Sequence, residues 1–390
     1  WLLMPPTSIP RYLHPQEWAN LCPVHGDIRK CITTATHGMV AWRIDPINHP
    51  YQLQCPVGGE WYPSNAYHKG DMASGEFPDD GSGCERNGIR YYFLREYAHM
   101  MYGTVVIPTL EARSLGYNTP GAERYSPKSG VLLARLAQQY PNYGWDTVDA
   151  QLEDRHDRTF LALWGDQYPS AHGSTGARNI SAGGLITSPV WDGGRTLGAA
   201  KAYDAIWNHL GHDEELAAFA RKQGLPIGNC QEVCDYIHNY VLRACARALM
   251  LGKINCNVGA NQVTALQLAL IMDDFSDRHP NSQDLVDYAY KGESGALNLL
   301  RNCLYPDGGG HESPFYNCSK FGFMNMARYM DRLRLMHPER FPESEYPNPF
   351  REPKAQALFG HYLDIMVSDG SVPSAGDGDG ADSSRRTTPK

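Results

Sequence analysis

The chain has 390 residues, 42% of them hydrophobic and 20% charged, with a formal net charge of -8. That is enough to bury a large core in two or three domains at most, and no run of about 18 apolar residues offers a membrane span. The acidic balance argues against a nucleic-acid partner, and an acidic substrate would have to be held by a local cleft of basic or amide groups.

Residues 1–85 are rich in Pro, Gly and aromatics and lack a long helical period. Met39 to Ile44 and Tyr51 to Gln54 fit short strands; Trp61 to His68 and Phe77 to Gly83 fit ordered loops. Helical periodicity then takes over. Ile89, Tyr92, Phe93, Tyr97 and Met100 share one face, and Val131 to Ala137 make a second helix opened by Pro127. Leu152 to Trp164 fits a third. The Gly/Ser-rich stretch 165–190 is too long for a simple connection and reads equally as a functional loop, carrying His172 and Arg178, or a plain surface loop.

Helices follow closely from residue 195. Leu197, Ala200, Tyr203, Ile206, Trp207 and Leu210 form one stripe. Asp213 is placed to cap a helix ending near Gly224. Val233, Ile237, Tyr240, Val241, Ala244, Ala248 and Leu249 form another, closed by Gly252. Val263 to Met272 is apolar almost all round, as an inner helix would be. Leu297 to Leu304, Phe321 to Met336 and Ala355 to Met366 complete the series. Amphipathic helices joined by short breaks, with some fully apolar members, predict an inner and an outer layer, hence an α/α toroid. The helical signal ends after Asp369.

Ten Cys are spread along the chain. Cys234 and Cys245 fall in helical patterns and read as small buried apolar residues. Cys22-Pro-Val-His25-Gly and Cys55-Pro-Val-Gly-Gly59 resemble each other, and with Cys31 they fit either a metal knuckle or plain turns. The first residue is Trp1, which fits removal of a leader and trimming of the chain alike.

Two clusters carry candidate chemistry. The first is Asn255-Cys-Asn257-Val-Gly-Ala-Asn261-Gln262, directly before the apolar helix. Side-chain amides at a helix start suit a carboxylate ligand, although Asn also caps helices routinely. The second is Asp307-Gly-Gly-Gly-His311-Glu312-Ser-Pro-Phe-Tyr316. Its glycines let the backbone approach something closely. It does not continue as H-E-x-x-H, and the chain has no G-x-S-x-G elbow and no P-loop. His311 also reads as a loop histidine, and Tyr316 as one core tyrosine among 23.

Taken together, the clusters fit β-elimination on a uronate. Neutralising the carboxylate stabilises the enolate-like state, and a Tyr or His moves protons. A nearby positive group would bring the Tyr hydroxyl down from its ordinary pKa of about 10. Neither metal nor nucleotide is required.

At these residues the chain resembles the heparinase II/III-like polysaccharide lyases, which include several alginate lyases. Asp307-Gly…Glu312-Ser-Pro-x-Tyr316 is similar to the family's D-G-x-x-x-E-x-S-x-x-Y type segment. Asn257-Val-Gly-Ala-Asn261-Gln262 resembles its Asn-His-Gln segment at the start of an inner helix. Pro373-Ser-Ala-Gly-Asp377 resembles the junction to its β-sandwich domain, and the Cys-Pro-Val pairs and Phe77-Pro-Asp-Asp-Gly belong to the same pattern.

The resemblance implies a mainly α fold: an incomplete (α/α) toroid over 86–368, preceded by a loop and short-strand region at 1–85. Residues 369–390 would lead into an antiparallel β domain lying beyond Lys390. It also implies that Tyr316 is the catalytic Tyr and that Asn261 and Gln262 neutralise the carboxylate. His311 and Glu312 would stand beside Tyr316, and Asn257, Arg178 and His172 would contact substrate. The substrate would be an acidic polysaccharide or oligosaccharide, the location secreted or periplasmic, and no cofactor is expected, the one metal weighed being the structural one of the Cys-Pro-Val turns.

The chain departs from the family at Ala260-Asn261, where relatives read Asn-His. An Asn can hold a carboxylate but cannot act as a base, so that role passes to Tyr316 or to a residue beyond Lys390. The competing readings are an α/α-toroid glycoside hydrolase using Glu312 with Asp307, Asp273 or Asp274, and a non-catalytic glycan-binding protein of the same fold.

Overall fold

The structure is a computed structural model describing residues 1–4, 6, 20–32, 40–110, 122–140, 192–250, 254, 259–292, 295–310, 322–368, 370 and 372. Among the described residues it is mainly helical, with three two-stranded antiparallel sheets near the N-terminus. Two compact units divide at Ile254/Asn255. Among the described residues no helix is long and apolar enough to cross a membrane.

The first unit opens with three hairpins. β1 (Leu21–Cys22) pairs with β2 (Gly26–Asp27), and β3 (Leu53–Gln54) pairs with β4 (Trp61–Tyr62). Of the two short strands expected here, Tyr51 to Gln54 is reduced to β3, and the described part of Met39 to Ile44 contributes only an isolated bridge from Arg43 to Gln54. β5 (Cys84–Arg86) pairs with β6 (Ile89–Tyr91).

This third hairpin corrects the helix expected to include Ile89. Asn87 and Gly88 both have positive φ, 52° and 75°. An Asn-Gly pair in that conformation matches the right-handed twist of two flanking strands. Ile89 is therefore a strand residue, 38% exposed, and α1 (Phe93–Met100) starts only at Phe93.

Asp79 joins the loop 77–83 to α1. Its carboxylate is buried and accepts N–H bonds from Gly81 (2.7 Å), Gly83 (3.0 Å) and Leu94 (3.0 Å). The α1 N-cap residue, Tyr92, makes no side-chain cap, so Asp79 caps the helix from outside. Burial pushes the Asp79 carboxyl above its ordinary range, while the three N–H donors pull it down. Asp79→Ala strands all three donors in a buried setting, at about 1 kcal/mol or more each. A fall of about 3 kcal/mol in unfolding free energy, read by urea titration, is the expected result.

The helices of this unit follow their sequence signals closely. α2 (Ser126–Gln139) carries a proline in its first turn, as Pro127 predicts, and buries Leu133, Ala134, Leu136 and Ala137. It packs on α3 (Asp192–Leu210), whose predicted stripe is buried except at Trp207, 42% exposed. Asp213 caps α4 (Glu214–Lys222) by accepting from Leu216 N–H at 2.8 Å. α5 (Cys230–Ile237) runs through a π-helical turn at His238–Leu242 into α6 (Arg243–Met250). The wider turn inserts one residue and shifts the faces. Val233, Ile237, Val241, Ala248 and Leu249 face inward, whereas Tyr240 turns outward beside Tyr236. Cys234 and Cys245 are fully buried, as small apolar residues.

In the second unit, α7 (Ala260–Met272) is the inner helix its apolar sequence predicts, packed by α8 (Ser282–Tyr290) and α10 (Gly322–Met336). The expected series does not include α8. Its Asn281/Asp284 capping box was present in the sequence as Asn-x-x-Asp. α9 (Ala296–Cys303) and α11 (Pro353–Ile365) pack on each other. The expected helix at 152–164 and loop at 165–190 lie outside the described residues.

Candidate functional site

Asn261 and Gln262 occupy the first turn of α7, 8% and 4% exposed. The N-cap residue is Gly259, left-handed at φ 92°, which makes no side-chain cap. Routine capping by Asn261 is therefore not the arrangement: the glycine turns the chain, and the two amides sit one and two residues inside the helix. A 13-residue helix presents a positive dipole end at that turn, alongside the amides.

The described part of the second cluster, residues 304–310, is a tight turn. Tyr305 N–H donates to Gly309 O at 2.7 Å, Gly308 N–H donates to Tyr305 O at 3.0 Å, and Leu304 bridges Gly310. The close approach predicted for its glycines occurs at Gly308. A Cβ there would overlap the α11 backbone at Ala357 and Leu358, and its φ is 86°. α11 thus holds the turn at Gly308. Gly308→Ala, with both overlap and backbone strain, is expected to cost about 3 kcal/mol of stability. Thermal melting checks this.

His361 of α11 lies against the same turn. Its Nδ1 is 3.7 Å from Asp307 Oδ2, and its ring closely borders Gly309. Asp307 also accepts from Gly309 N–H at 2.9 Å. The structure therefore brings Asp307, Gly309 and His361 together. His361 escaped the sequence reading because it stands alone on a helix more than 50 residues downstream, with no motif around it.

His311, Glu312, Tyr316, Asn257, Arg178 and His172 lie outside the described residues. The carboxylates weighed for hydrolysis are partly placed. Asp273 ends α7 and bonds His337 Nε2 at 2.6 Å, while Asp274 accepts from Ser276 N–H at 2.9 Å. Both sit about 18 Å along α7 from Asn261. They close a helix rather than flank a cleft at its start.

The first unit holds a separate cluster. Cys22 ends β1, His25 follows in the β1–β2 turn, and Cys55 opens the β3–β4 turn. One ligand atom from each lies within 4.8 Å of the others, a group able to hold a metal ion. Both Cys are buried, and the His25 side chain is 25% exposed. The backbone N–H groups of Val24 and His25 point at Cys22 Sγ. Burial pushes the Cys22 thiol up, and these donors act the opposite way. Cys31, weighed for the same knuckle, is not in the group.

In comparisons with known proteins, no family model, no curated protein and no solved structure matches this chain.

Proposed function

We propose that the protein is a polysaccharide lyase that cleaves a uronate-containing acidic polysaccharide by β-elimination. The observation carrying this reading is the pair Asn261 and Gln262 in the buried first turn of α7. Two amides at a helix N-terminus suit a carboxylate, and that carboxylate is the group whose charge must be spread in the transition state.

The chemistry runs on this chain's own groups. Asn261 and Gln262 hold the uronate carboxylate, which acidifies the neighbouring C–H. A base removes that proton, the electron pair becomes a ring double bond, and the glycosidic oxygen leaves with a proton. Tyr316 hydroxyl donates that proton and, as tyrosinate, serves as the base. His311 and Glu312 stand next to it in sequence. Asn257, Arg178 and His172 are assigned to substrate contact, where one cation and amides offset the chain's net charge of -8. Any metal held by the chain serves the fold rather than this reaction. The fold we infer for the helical region is an incomplete (α/α) toroid, in keeping with its paired packed helices, and the family resemblance points to a secreted or periplasmic location.

Mass spectrometry of digestion products tests the reaction type. Elimination adds no water, so each cleavage leaves a product one water lighter than hydrolysis would. Hydrated products, lost on Glu312→Gln, would instead establish the glycosidase reading. Glycan binding by the full-length protein without turnover would establish the non-catalytic one.

A further inference from the structure

We propose that Cys22, His25, Cys55 and Glu60 form a four-coordinate structural Zn2+ site joining the first two hairpins of the chain. This inference is independent of the lyase reading.

Geometry carries it first. Cys22 Sγ and Cys55 Sγ each lie 3.5 Å from His25 Nδ1. A tetrahedral Zn2+ with Zn–S of about 2.3 Å and Zn–N of about 2.0 Å sets each S···N edge at about 3.5 Å. The two sulfurs therefore stand at ligand spacing around one imidazole nitrogen. Ligation through Nδ1 leaves the ring proton on Nε2.

The two turns explain the fourth position. Each opens with Cys-Pro-Val; the next residue is His25 in the first turn and Gly58 in the second. A Cβ at Gly58 would overlap both the Glu60 carboxylate and the His25 ring. The missing side chain is thus the space that Glu60 enters from two residues on. Glu60 Oε2 lies 3.7 Å from His25 Nδ1 but outside the group whose ligand atoms all lie within 4.8 Å of one another, so its side chain, 41% exposed, must swing towards the two sulfurs to take the fourth position. Gly59 at φ 85° and the Cys55 N–H bond to Glu60 O, 2.8 Å, turn the chain back to bring the carboxylate there.

The donor set selects the ion. Two thiolates, an imidazole and one carboxylate in a four-point arrangement suit Zn2+ and not the oxygen-seeking Mg2+ or Ca2+. With four protein ligands the site is closed, which is the structural rather than the catalytic form. Loading is balanced by release of the two thiol protons to solvent as Cys22 and Cys55 become thiolates. The clamp would tie β1–β2 to β3–β4, sheets of only two residues per strand that cannot hold themselves.

Metal analysis of the full chain, purified under reducing conditions, should give about one Zn2+ per chain. Chelation should lower the thermal midpoint by roughly 10 °C, and added ZnCl2 should restore it. Cys22→Ser and Cys55→Ser should lose the ion, Glu60→Ala should bind it more weakly, and Cys31→Ser should keep it. Because a ligand variant may fail to fold, alkylation of the wild-type chain provides a second readout. Zn2+ should protect Cys22 and Cys55 while leaving the reaction of Cys31 unchanged. Substoichiometric zinc with no thermal response to ZnCl2, equal labelling with and without the ion, or a Cys22–Cys55 disulfide in the peptide map would each overturn the proposal.

Discussion

Asn261→Asp should lose more activity on a uronate polymer than Asn261→Ala, and Asn261→Ala should itself lose roughly 10²–10³-fold in kcat. Removing one preorganised donor aimed at developing negative charge costs about that much. The aspartate adds a like charge facing the substrate carboxylate, so its penalty is larger. Stability runs the other way: a carboxylate in the first turn of a helix is favoured by the dipole, by about 0.3–1 kcal/mol. The aspartate variant should therefore melt at or above the alanine variant while turning over more slowly. A merely structural role for Asn261, buried at 8% exposure in the first turn of α7, predicts activity and melting point falling together. Initial rates beside thermal melts separate the two.

Tyr316→Phe should have the largest effect of any single conservative change. It removes the hydroxyl that the proposed reaction uses to move protons, and positioned acid–base catalysis contributes about 10²–10⁴-fold. A loss near the upper end is expected, because one group serves both proton transfers. KM should change little, since the carboxylate remains held by Asn261 and Gln262, and the melting point should stay near that of the wild type. A Tyr316→Phe protein retaining more than a tenth of wild-type kcat would remove Tyr316 from the reaction.

The helical half of the chain was legible because its signals are local. Asp213 caps α4, Pro127 opens α2, and the all-round apolar run at 263–272 becomes the buried α7. Where the reading slipped, a second signal competed. The face built on Ile89 and Tyr92 left out of account the Asn87-Gly88 turn, which makes a hairpin. The stripe through Tyr240 assumed an unbroken 3.6-residue period, and the π-turn at His238–Leu242 broke it.

Sites were harder to read, because their parts are distant in sequence. The likeness of the two Cys-Pro-Val turns was visible, but Cys31, read with them, lies outside the cluster of Cys22, His25 and Cys55. Glu60 becomes relevant only when the β3–β4 turn folds it into the space left by Gly58. Likewise, the glycines at 308–310 announced a close approach without naming the partner. That partner is the α11 backbone at Ala357–Leu358, with His361 alongside.

The central claim is elimination at a uronate, and the ultraviolet absorbance of its product tests it most directly. The full-length protein should be incubated with heparan-, alginate- and ulvan-type polymers, and absorbance followed at the band of the unsaturated uronate. A steady rise on at least one polymer, lost with Tyr316→Phe, is the predicted result. A flat trace on every uronate polymer, from a folded and zinc-replete protein, would contradict the account.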